Sequence, residues 1–137
     1  MPPGRTLCLD VGERRIGVAL SDPEGRLASP LGVIVRRNAS RDFEQVAQLV
    51  QQHGVERVVV GLPRTLAGEL GPQARRVQRW AERLRAHLPV PLVYWDERYS
   101  TIEAARRLAA SGSRRRRTAL DAAAAAVILQ DYLDTAR

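Results

Sequence analysis

The sequence predicts an α/β fold: a mixed five-stranded sheet, an antiparallel three-strand meander followed by parallel strands, with helices on both faces. Three observations predict it. The first 35 residues contain three strand-like runs joined by short turns. The apolar period then changes from two to 3.6 at Phe43. Beyond that point buried strands alternate with amphipathic helices, the pattern of βαβ units in a sheet covered on its faces.

In order, Thr6–Gly12 and Arg15–Asp22 are apolar runs of strand length. Asp22-Pro23-Glu24-Gly25 has Asp first, Pro second and Gly fourth, which favours a type I turn. It leads into a third strand near Leu27–Val35. Phe43, Val46, Ala47 and Val50 share one helical face, so a helix is expected over Ser40–Gln52 with Ser40 as its cap. Val55–Pro63 is a buried strand ended by Gly and Pro. Ala74, Val77, Ala81, Leu84 and Leu88 mark a second helix, and Val90–Glu97 another strand. Ser100-Thr101-Ile102-Glu103 is a capping box opening a third helix to about Ala110. Ser111–Arg117 is expected to be a mobile loop carrying four arginines. A final helix, Thr118–Leu133, is apolar for eight residues from Ala122 to Leu129. With no linker or repeat visible, residues 1–137 are expected to form one domain.

Composition narrows the function. At 45% hydrophobic the chain can bury a core. Its one cysteine, Cys8, rules out an internal disulfide and a thiolate zinc cage, and suits a reduced, cytoplasmic setting. No signal peptide and no membrane-length apolar run is evident, so no membrane partner is expected. The net charge is +7, and all 22 basic residues are arginine. That excess attracts a polyanion, nucleic acid first.

Three carboxylates stand at places where chemistry is done. Asp10 closes an apolar strand, where an unbound charge is costly. Glu97 ends the Leu-Val-Tyr-Trp strand beside Asp96. If the strand of Asp10 is central, both lie at the carboxyl ends of strands, the usual ligand crevice of an open α/β sheet. Asp121 heads the alanine-rich helix. Thr118-x-x-Asp121 also fits a helix-capping pattern, so Asp121 has a purely structural reading beside the functional one. Together the three form a hard, oxygen-only donor set that suits Mg²⁺ or Mn²⁺. Two such ions about 4 Å apart can clamp a phosphodiester displacement.

Four segments carry a family resemblance: Leu9–Asp22 (LDVGERRIGVALSD), Val58–Val77 (VVVGLPRTLAGELGPQARRV), Trp95–Thr101 (WDERYST) and Leu120–Leu133 (LDAAAAAVILQDYL). In this order they resemble the bacterial RuvX/YqgF family, described as Holliday-junction resolvases and as pre-16S ribosomal RNA nucleases, with an RNase H-like fold. The resemblance covers nearly the whole chain. It implies that Asp10, Glu97 and Asp121 are the metal-binding catalytic acids and that Arg15, Arg98, Ser100 and Thr101 lie near the substrate backbone. The chain departs from the pattern after Gly61-Leu62-Pro63, where Arg64-Thr65-Leu66 stands in place of an asparagine-containing loop. The loop before Asp121, lysine-containing in the family, holds only arginine here.

The leading reading is a metal-dependent hydrolase that cuts structured RNA, in the first place the 5′ end of pre-16S rRNA. The same site could cut a four-way DNA junction. Arg114, Arg115, Arg116 and Arg117 would grip the phosphate backbone. Two readings of other classes compete: a non-catalytic nucleic-acid-binding partner of the transcription or translation machinery, and an actin-like ATPase suggested by Asp10–Gly17. The latter needs two such domains around its nucleotide. Homodimer formation stays open.

Overall fold

The structure is a computed structural model that describes residues 4–64, 67–97 and 113–136. These residues form strands β1 (Arg5–Val11), β2 (Arg15–Ser21), β3 (Ala28–Val35), β4 (Val55–Pro63) and β5 (Leu92–Glu97), and helices α1 (Ala39–His53), α2 (Pro72–Arg85) and α3 (Arg114–Ala136). The sheet order is β3-β2-β1-β4-β5. β1, β2 and β3 pair antiparallel, while β4 lies parallel to β1 and to β5. The mixed sheet is therefore the one expected, with β1 at its centre. The helix expected from Ser100 to about Ala110 falls outside the described residues.

Local chemistry explains the boundaries. The turn from β2 to β3 closes as Gly25 N–H donates to the Asp22 carbonyl at 3.0 Å. The Asp22 carboxylate accepts from the amides of Arg26 and Leu27, which lowers its pKa. Helix α1 is capped by a residue before Ser40: Asn38 is extended, and its side chain accepts from Arg41 N–H at 3.0 Å. Asn caps as well as Ser does, and here it holds the capping position. Gly54, in the left-handed region, ends that helix.

The two faces of the sheet differ in thickness. On one, Leu7, Leu9, Ile16, Val18, Val58 and Val60 pack under α1 and α2 with Phe43, Trp80 and Leu84. Each such buried side chain contributes about 1.5–3 kcal/mol. On the other, Cys8, Ala19 and Val59 meet Ala125, Ile128, Leu129 and Leu133 of α3. The helix comes so close that a Cβ on Gly17 would collide with the carbonyl oxygen of Asp121. The alanine run is the helix side of this close approach.

Helix α3 corrects two expectations. Arg114–Arg117 are not in a loop; they form its first turn. Ser113 caps it, its hydroxyl accepting from Arg116 N–H at 3.2 Å. Arginine is a good helix former, so the run extends the alanine-rich segment rather than interrupting it. Thr118 and Asp121 accordingly make no capping box. The Thr118 hydroxyl donates to the Arg115 carbonyl at 3.0 Å, inside the helix. Asp121 is the eighth residue of α3 and has no role as a cap.

Candidate active site

Side chains alternate along a strand, so Asp10 shares the thin face with Cys8. It lies within β1, one residue before its end, and is buried at 8% exposure. Its Cα partner across the antiparallel ladder is Gly17, the residue against which Asp121 of α3 rests. Arg15 begins β2 on the same face. Its Nε donates to Asp121 Oδ2 at 2.6 Å, with side chains 28% and 18% exposed. A charge-assisted bond of this length, largely removed from water, is among the stronger polar contacts.

Glu97 is the last residue of β5. One Glu97 oxygen, Oε2, lies 3.4 Å from where a Gly61 Cβ would stand. The missing side chain of Gly61 thus leaves room beside the carboxylate, on the strand next to that of Asp10. The Cys8 thiol registers the same neighbourhood: burial raises its pKa first, and the charge of Glu97 raises it further.

Arg64 supplies a role for the segment that departs from the family pattern. Its amide donates to the Glu97 carbonyl at 2.8 Å and fixes the end of β5. Its guanidinium donates to Gly68 O at 3.0 Å, and its Nε sits 2.9 Å from Asp96 Oδ1, an ion pair without hydrogen-bond alignment. Thr65 and Leu66 lie outside the described residues.

All three acids therefore border one end of the thin face. They do not close into a ligand set as they stand: among the described residues no three of His, Cys, Asp and Glu are grouped to hold a metal ion. The donor chemistry fits a hard divalent cation, but Arg15 supplies the positive charge to Asp121 in this arrangement. Of the residues expected to contact substrate, Arg15 is at the site. Arg98, Ser100 and Thr101 lie outside the described residues. Arg114–Arg116 are exposed on the first turn of α3 and Arg117 is half-buried. The sequence did not single out Gly17 or Gly61; a glycine facing a carboxylate across a sheet leaves no local signal. Trp80 and Trp95 pack rather than present open faces: Trp80 against Phe43, and Trp95 edge-on to Tyr132 with its Nε1 donating to Asp131. No helix of the described residues is long and apolar enough to cross a membrane.

A family model described as "RuvX: Holliday junction resolvase" matches residues 4–135. A relative from Chloroflexus aurantiacus, named "Putative pre-16S rRNA nuclease", is 48% identical over 96% of this chain and 87% of its own. One of the same name from Desulforudis audaxviator is 44% identical over 97% of this chain and 96% of its own. Among solved structures, Thermus thermophilus RuvC superposes with a TM-score of 0.58 at 14% identity, over 96% of this chain and 95% of that one. The same protein in complex with a Holliday junction substrate gives 0.58 at 16%, over 97% and 96%. The likeness to RuvC is one of fold, the RNase H-like fold.

Proposed function

The chain belongs to the RuvX family, and on that premise we propose that it is a nuclease hydrolysing phosphodiester bonds of structured nucleic acid in the cytoplasm, with the 5′ end of pre-16S rRNA as its substrate. The observation that supports this is that Asp10, Glu97 and Asp121 all border one end of one sheet face, on a chain of net charge +7. Asp10, Glu97 and Asp121 are the residues that would hold Mg²⁺ or Mn²⁺; such an ion supplies Lewis-acid activation of the phosphodiester.

The chain's own residues do the rest. Arg15 keeps the Asp121 carboxylate oriented toward β2 and neutralised. For Asp121 to serve as a ligand, that pair must open, and a substrate phosphate is a competing partner for the guanidinium. Arg64 holds the Glu97 backbone in place. Arg114–Arg117 put four cations on the positive end of a helix dipole, an arrangement that disfavours itself and favours an anion. They bind backbone phosphates, which carry affinity and not sequence choice.

The family model's description favours one second substrate, a four-way DNA junction. Cleavage of a pre-16S RNA, an unstructured RNA and a four-way DNA junction, each with Mg²⁺ and with Mn²⁺, separates the two, and ATP hydrolysis in parallel tests the actin-like alternative. Strongest cleavage of the pre-16S RNA, lost with chelator and in Asp10→Asn, is expected. Absence of metal-dependent cleavage on all three overturns the proposal.

A further inference from the structure

A cavity of about 380 Å³ opens on the opposite, thick face of the sheet, between the β1–β2 turn, the start of α1 and the first turns of α2. Its floor is Trp80, only 6% exposed. The guanidinium of Arg36 lies over that ring at 5.7 Å. Arg36 is fixed on two further sides: Nη1 donates to Gly12 O at 2.7 Å, and Nε lies 3.5 Å from Asp42 Oδ2. Asp42 is itself 2% exposed, so its charge and that of Arg36 answer each other.

Two other cations line the cavity and have no such partner. Arg37 and Arg76 are exposed, and neither guanidinium makes a hydrogen bond or ion pair among the described residues. Glu13 is the remaining acid of the lining and is exposed as well. A concave site of this volume with unpaired guanidinium groups at its rim takes an anion, and planar forks of this kind match phosphate. The Trp80 face is already covered by Arg36, so no platform is left for a base. Recognition here is of phosphate alone.

The cavity also adjoins the candidate active site through the chain. Gly12, in its lining, is two residues from Asp10, at the same end of β1. We propose that this cavity is a second phosphate subsite, filled by a backbone phosphate of a nucleic-acid strand that passes from the acids over the β1–β2 turn, or by a free nucleotide. The strand form rests on the nuclease reading; affinity for phosphate does not.

The test compares wild type, Arg37→Ser/Arg76→Ser, and a control with Arg41→Ser/Arg79→Ser, two arginines outside the lining. Binding of a single-stranded RNA of about 20 nucleotides, long enough for several phosphate contacts, is titrated in chelator at several salt concentrations, and adenosine triphosphate is titrated alongside. Circular dichroism verifies the fold. The slope of log K against log salt for RNA should fall by about 1.4 in the cavity variant, at about 0.7 per phosphate contact on a single strand, and hold in the control. Saturable triphosphate binding that the cavity variant loses identifies a free nucleotide as the occupant; loss of RNA affinity alone identifies the strand. Unchanged binding of both ligands, or equal losses in the two variants, overturns the proposal. Cleavage is scored separately. A wild type that cuts nothing but binds RNA through Arg37 and Arg76 removes the nuclease reading and keeps the subsite.

Discussion

The two faces of this sheet have the same strands and opposite constructions. The face under α1 and α2 is thick, filled by Leu, Ile, Val, Phe and Trp. The face under α3 is thin, lined by Cys8, Gly17, Ala19 and Val59 against an alanine-rich helix. Large side chains give stability by excluding water over a wide area. Small ones let a helix backbone come down onto the sheet, and it is the small side whose one end Asp10, Arg15, Glu97 and Asp121 border. The large core and the candidate site lie on opposite faces of one layer.

The largest change in folding energy should come from the thick face. Phe43→Ala removes a ring that is 2% exposed, stacked on His87 and tilted against Trp80. Urea unfolding should show a loss of about 3–5 kcal/mol, while the folded fraction keeps its cleavage rate per molecule. A loss below about 1 kcal/mol, the size of an average substitution, would mean that the thick face is not where stability resides.

Next comes Gly17→Ala on the thin face. The added methyl meets the Asp121 carbonyl, so α3 must shift; overpacking of this kind costs about 1–3 kcal/mol. Here cleavage should fall together with stability, because the shift also displaces Asp121 from Arg15. A Gly17→Ala protein as active and stable as wild type would remove the case for a required close approach.

Asp121→Asn should cost less, about 1 kcal/mol, since the amide oxygen can still accept from Arg15. Most cleavage should nevertheless vanish with the charge. Melting temperature and rate measured on one preparation settle it: a fully active, metal-dependent Asn variant would confine Asp121 to its ion pair.

The smallest effect concerns Tyr94, half-buried at the rim of the thick face. Burial and its hydrogen bond to Glu82 Oε2, 2.6 Å away, raise its pKa to about 12. The folded state thus holds this proton more tightly than the unfolded state, whose tyrosine titrates at about 10. Stability from this group is complete below that pH and lost as pH rises toward the folded value. The chain has no lysine, so no ammonium titration overlaps. The urea midpoint should drop between about pH 10 and pH 12, and Tyr94→Phe should make the drop shallower.

Much of this architecture was legible because local signals and the final fold agree. Asp22-Pro-Glu-Gly is a turn in any context, and the 3.6 period from Phe43 marks a helix face that is in fact buried. The start of α3 was not legible. A run of four arginines between Ser/Gly and Thr reads as a solvated loop, yet arginine tolerates a helix and Ser113 supplies its cap. Asp10, Glu97 and Asp121 stood out as acids beside apolar runs, and strand order placed them at one end of the sheet; that they close into one ligand set is an expectation the described residues do not display. The pair of Arg15 with Asp121 was not visible at all, since nothing local links residues so far apart. Nor was the Arg36, Arg37 and Arg76 cavity, whose walls come from three separate elements.

The Arg15–Asp121 pair joins positions separated by 106 residues. During synthesis β1 and β2 emerge early, and Asp10 is available while most of the chain remains to be added. The carboxylate of Asp121 arrives only when α3 leaves the ribosome and docks. A nascent chain therefore carries an incomplete candidate site throughout most of its translation, and contact of this range is slow to form. The order of elements acts as a timer: the Arg15–Asp121 pair, and with it the candidate site, cannot assemble on an unfinished chain.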